Sequence, residues 1–243
     1  MCKQRPSWAF GLNVIALFSA GLAFGQMPGA DSAERMVGGL WEYTGLVSSA
    51  GNDMPLTGVF LFKDGIFLQQ AIFEGEPFDE QGAMAHAGPY TSESDSVHLI
   101  AEQTISISPD QAPSLSFRQN TEHDLSVSRS GDRLTLVFGS GTVQEFKYIG
   151  PGKGEVYALQ DGALAFVDGY FILVQGDAEG SVSGYGSFDK DGENLQLKVK
   201  RWAEADDTRT VNRRDAEMRA TFDGHTLTLA DGRSFTVAPR RAQ

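Results

Sequence analysis

Two stretches of the chain carry the same order of apolar and polar positions. In Leu61-Phe62-Lys63-Asp64-Gly65-Ile66-Phe67-Leu68 an Asp-Gly pair separates two apolar, aromatic-rich runs, and Ala165-Phe166-Val167-Asp168-Gly169-Tyr170-Phe171-Ile172 repeats the arrangement. An Asp-Gly between β-prone runs predicts a hairpin, because its second residue accepts positive φ and closes a turn matched to strand twist. Around these two hairpins the alternation continues. Strands are predicted at 39–47, 58–62, 66–73, 97–107, 115–117, 124–128, 133–138 and 143–149, and again at 163–167, 170–175, 184–188, 194–202, 218–222, 226–229 and 234–237. Segment 74–88 is the least strand-like and reads as a short helix or lid loop. The mixed-charge run 198–215 reads as leaving its strand for a long solvated loop. No segment holds a helical period over three turns. Short strands punctuated by turns predict an all-β chain of antiparallel sandwich or barrel type.

The duplication extends past the hairpins. Gly88-Pro89-Tyr90-Thr91 corresponds to Gly186-Ser187-Phe188-Asp189, and Arg133-Leu134-Thr135-Leu136 to Thr226-Leu227-Thr228-Leu229. Gly150-Pro151-Gly152-Lys153-Gly154 is the strongest break between the two halves. The expected organisation is a first unit at 37–149, a linker at 150–154 and a second, shorter unit at 155–243.

Composition changes this picture mainly at the N-terminus. Lys3 and Arg5 precede an apolar run through Val14-Ile15-Ala16-Leu17-Phe18, and Ala23-Phe24-Gly25 offers small residues for a signal peptidase. Residues 1–25 are therefore expected to be a cleaved signal peptide and 26–36 a linker, which makes the protein periplasmic or secreted. Cys2 is the only cysteine, so the mature protein is expected to be held by packing without disulfides. With 32 Asp and Glu against 20 Lys and Arg, the net charge of −12 argues against nucleic acid or an anionic membrane surface as partner. No membrane insertion is expected once the signal segment is removed.

At Gly39-Leu40-Trp41 the chain resembles the opening Gly-x-Trp strand of lipocalins and related calycin barrels. Gly58, Asp64-Gly65, Gly88-Pro89-Tyr90, His98 and Gly131-Asp132-Arg133-Leu134-Thr135-Leu136 follow in an order similar to the bacterial lipocalin-like domain family. The resemblance covers about 37–149, with the second half a divergent echo. It implies antiparallel up-and-down β-barrels in two tandem units, the first holding a small hydrophobic molecule. It also implies that Trp41 closes one end beneath a basic side chain such as Arg133. The lining candidates are Trp41, Tyr43, Phe60, Phe62, Phe67, His98 and Phe117. An eight-stranded barrel is only wide enough to be filled by side chains or to hold one small ligand, and 16 Phe and 6 Tyr favour a filled interior.

Candidate chemistry is sparse. Of His86, His98, His123 and His225, His98 alternates with Val97 and Leu99 and shares a strand face with Ile100 and Glu102. If that face lined the barrel, His98 and Glu102, with Tyr90, would form a catalytic acid/base set for a cofactor-independent cyclase or isomerase. Asp189-Lys190-Asp191-Gly192-Glu193-Asn194 places its Gly too early for a calcium loop. No Gly-x-Ser-x-Gly elbow is present, and neither metal nor cofactor is expected. Three readings follow: a non-catalytic carrier of a small hydrophobic molecule, an isomerase or cyclase in the first barrel, and an envelope interaction module that uses exposed sheet edges. Ligand and oligomeric state are not readable from the sequence.

Overall fold

A computed structural model describes residues 32–239. The proposed signal peptide and most of the 26–36 linker lie outside that range. The first barrel is built from β1 (Gly39–Val47), β2 (Leu56–Lys63), β3 (Ile66–Phe73), β4 (Ala83–Ser92), β5 (Ser96–Ala101), β8 (Thr121–Ser130), β9 (Arg133–Phe138) and β10 (Val143–Gly150). Each pairs antiparallel with the next, and β1 pairs back onto β10, so the sheet closes. β6 (Gln103–Ile107) and β7 (Leu115–Arg118) peel away from the barrel beside β4. Gly88 makes the departure sterically possible, since a Cβ there would meet the Ile100 carbonyl oxygen at 2.0 Å.

The second barrel is an eight-stranded meander: β11 (Gly154–Leu159), β12 (Gly162–Val167), β13 (Tyr170–Gly176), β14 (Gly180–Asp191), β15 (Asn194–Asp206), β16 (Thr210–Phe222), β17 (Thr226–Leu229) and β18 (Ser234–Thr236). It is nearly closed, with β11 touching the far end of the sheet only through the Leu159–Val237 bridge. The fold is two antiparallel β-barrels in tandem.

The duplicated turns fall at equivalent places. Asp64 and Gly65 (φ 52° and 75°) join β2 to β3, and Asp168 and Gly169 (φ 50° and 79°) join β12 to β13. Positive φ at both central residues is the type I′ geometry. The unusual richness of these hairpins in apolar residues has a structural cause, because each is buried on both faces. Phe60, Phe62 and Phe67 point into the first barrel, while Leu61 and Leu68 point outward. Leu164 and Phe171 point into the second, while Ala165 and Ile172 point outward. The outward sets meet in a third apolar core between the barrels.

Three local expectations are corrected. Segment 74–88 is neither helix nor lid beyond the short 3-10 turn Phe78–Glu80. It runs into β4, where Ala83, Ala85 and Ala87 face the inter-barrel core and Met84 and His86 face the barrel interior. Small residues there let the two barrels approach closely. The run 198–215 is not a loop but the larger part of β15 and the start of β16, with only the turn at 207–209 between them. Its mixed charges are partly internal, since Glu204, 8% exposed, is bonded by both Arg213 and Arg233. The end of the expected linker forms a short helix, α1 (Ala33–Val37), which packs Ala33 and Val37 against the first barrel's interior.

Candidate functional site

α1 closes one end of the first barrel. The Trp41 indole N–H donates to the Val37 carbonyl at 2.6 Å, and the Arg129 guanidinium lies 4.9 Å from the Trp41 ring and 5.0 Å from the Tyr148 ring. The covering cation is thus Arg129 of β8, and Arg133, expected there, is exposed on β9. Strand phase explains the swap, since Leu134 and Leu136 take the inward positions of β9. Above this closure aromatic rings fill the barrel. Phe60 stacks on Phe62 at 4.4 Å and meets Phe67 at 5.8 Å and Phe146 at 5.7 Å, and Tyr43 lies 4.4 Å from Phe146.

The lining candidates Trp41, Tyr43, Phe60, Phe62 and Phe67 are therefore all interior, and they pack against one another. Phe117 is elsewhere: it sits on β7 and packs against the inter-barrel core. His98 is on the outside of the barrel. Val97 and Leu99 take the inward positions of β5, so His98 faces outward, with Nδ1 2.7 Å from Asp124 Oδ1 and Nε2 4.0 Å from Glu122. Glu102 is exposed at the break between β5 and β6. Tyr90 is inside at the α1 end, where its hydroxyl donates to Glu34 at 3.0 Å, and burial with that carboxylate holds its pKa well above the usual range. His98, Glu102 and Tyr90 do not converge.

A different polar set occupies the interior at the end away from α1. Tyr43 Oη donates to Gln144 Oε1 at 3.0 Å and accepts from Gln69 Nε2. The other end of that amide, Gln69 Oε1, lies 2.9 Å from His86 Nδ1. Since Gln69 Oε1 is only an acceptor, His86 must carry its proton on Nδ1, and Nε2 remains a lone-pair acceptor. That nitrogen has no hydrogen-bond partner among the described residues. The His86 ring stands 6.1 Å from His123, which stands 5.6 Å from Phe138.

His86, His123, Met84 and Phe138 are partly exposed and form the rim, or mouth, of that end. Burial, with His123 a secondary cause, pushes His86 down to about 4. Burial also lowers His123, and burial drives the Tyr43 hydroxyl far above its ordinary value. At neutral pH the chain is uncharged throughout, so it can orient and accept hydrogen bonds.

Sequence reasoning placed Tyr43 in the interior and missed Gln69, His86, His123 and Gln144. Phase was the available signal: Gln69 lies two residues from Phe67, and Gln144 two from Phe146, on inward-facing rows. Among the described residues no group of three or more His, Cys, Asp or Glu is placed to hold a metal ion. No protein-family model, characterised protein or solved structure matches the chain.

Proposed function

We propose that this is a lipocalin-like, non-catalytic binding protein of the periplasm or extracellular space, and that it takes a small apolar molecule at the open mouth of its first barrel. One observation carries the reading: a chain of hydrogen bonds running from Gln144 through Tyr43 and Gln69 ends in an unshared acceptor, His86 Nε2, at a partly exposed rim beside Met84 and Phe138. Buried polar groups in an apolar interior are costly unless satisfied, and here every link is satisfied except the outermost one. Because rings fill the barrel below, the guest lies shallow and presents a hydroxyl or similar donor to His86.

The cyclase or isomerase reading moves to the same residues, favoured by the interior polar chain, with His86 in place of His98. It is the weaker of the two. A base poised near 4 takes a proton poorly at neutral pH, whereas an efficient general base sits near the working pH.

Calorimetric titration of the protein with long-chain alcohols, retinol and their methyl ethers tests the proposal. The alcohols are expected to bind, and both the ethers and the His86→Leu variant to lose about tenfold in affinity, the scale of one unmade buried hydrogen bond. Silence across the alcohols would end the reading. N-terminal sequencing of exported protein, expected to begin at Gln26, tests the compartment.

A further inference from the structure

The second barrel is closed by a single bridge. Gln160 N–H donates to the Thr236 carbonyl at 3.1 Å, and Ala238 N–H donates to the Ala158 carbonyl at 2.8 Å. Successive residues of an antiparallel strand turn their backbone groups to opposite sides, so the even-numbered residues of β11 face its outer edge. Among the described residues no strand lies along that edge upstream of Ala158, and none of them pairs with the outward N–H and C=O of Val156. Such an edge is a template for another extended chain.

The edge overlooks a cleft of about 770 Å3 whose facing wall belongs to the first barrel, at Gly88, Pro89, Glu102 and Gln103. It shares no residue with the mouth described above. Its chemistry narrows the occupant. Among the described residues the lining includes Asp64, Glu102 and Glu155 and no Lys or Arg. Asp64 is paired with Lys63 at 3.0 Å, and Glu155 accepts the Tyr157 hydroxyl, while Glu102 has no ion pair among the described residues. Gln103 is 6% exposed, yet its Oε1 has no hydrogen-bond partner. A buried carbonyl oxygen left without a donor is costly, and Gln103 is one of the residues that line the cleft.

We infer that this cleft receives an extended segment of another polypeptide bearing Lys or Arg side chains, added as a strand to the free edge of β11. The segment's backbone pairs with the N–H and C=O of Val156, and its cations meet Glu102 and Glu155. Backbone pairing supplies affinity and alternate side chains supply selectivity, as in other strand-addition complexes.

A fluorescein-labelled hexapeptide alternating Val and Lys, titrated into the full-length protein and read by anisotropy, tests this. It is expected to bind, with an alternating Val/Glu hexapeptide and a proline-interrupted Val/Lys peptide each weaker by about tenfold or more. Reversing Glu102→Lys with Glu155→Lys should weaken the Val/Lys peptide by a similar factor. Reversing Glu122→Lys with Asp124→Lys, the same charge change on the outer face of β8, should not. Val156→Pro, which removes the N–H that the segment pairs with, should abolish binding, with circular dichroism checking the fold; the exposed double reversals keep the test decisive if that variant misfolds.

Absence of binding up to about 1 mM, the weak end of specific recognition, overturns the inference. So does equal loss from both double reversals, or unchanged binding to a folded Val156→Pro protein. Self-association abolished by Val156→Pro would make the occupant a second copy and overturn it as well. The alcohol titrations at the mouth are unaffected by any of these outcomes.

Discussion

Asp64 and Asp168 occupy the same position in two copies of one turn, and only Asp168 reaches beyond it. Its carboxylate accepts the backbone N–H groups of Gly152 at 2.6 Å and Lys153 at 3.0 Å, tying the inter-barrel connection to the second hairpin. Asp64 is exposed and, among the described residues, its carboxylate pairs only with Lys63. Asp168→Ala is therefore expected to destabilise the protein by about 2 kcal/mol more than Asp64→Ala, the scale of hydrogen bonds to a charged group; urea denaturation of the two variants measures the difference. His86 gives a pH dependence whose sign is fixed. Its folded value, near 4, lies below the unfolded one near 6.5. Between those values the unfolded chain binds the extra proton, so stability is full above the upper limit and declines as pH falls toward the lower. A loss of about 1–3 kcal/mol between pH 7 and pH 4 is expected, smaller in His86→Phe. His123, shifted the same way, leaves part of the slope in place. Equal slopes in the two proteins would refute the assignment.

Among the elements, the hairpins β2–β3 and β12–β13 were the most legible, because Asp-Gly between apolar runs is a local signal that needs no tertiary context. The face each strand turns inward was harder to read. Strands buried on both sides lose the alternation that marks a core-facing row, and Leu61-Phe62 or Ile172-Leu173 carries no sign of which residue belongs to which core. The same ambiguity hid β4. Its alternate alanines look unstrand-like until they are set against the neighbouring barrel, and with β4 went His86, the residue on which the mouth depends. His98 was misplaced for a related reason: its alternation with Val97 and Leu99 was visible, and those two side chains, not His98, face the barrel interior. Packing between the barrels makes β4 sensitive to volume. Ala85→Leu, on a fully buried face, is expected to destabilise by about 1–3 kcal/mol through overpacking, and thermal melting would show it.

For the molecule as a whole, three apolar cores rather than two decide how it behaves. Leu40, Leu61, Leu68 and Ile72 of the first barrel and Ala165, Ile172, Val174 and Ala203 of the second contribute to the shared core and lie within one compact unit. The full chain is therefore expected to unfold in a single calorimetric transition, and a fragment ending at Lys153 to aggregate or expose dye-binding apolar surface. A soluble, sharply melting fragment would contradict the shared core. Within that layer Gln70 is wholly buried with both amide atoms unpartnered. Gln70→Met keeps its shape, removes two orphaned polar atoms, and is expected to stabilise by about 1–2 kcal/mol.

The β1–β10 pairing carries a consequence for biogenesis. Because the opening strand of the first barrel finds its last neighbour only in the strand that ends at Gly150, that barrel completes itself just before the other half of the polypeptide is delivered. During that interval its flank of leucine, isoleucine and alanine stands bare to water.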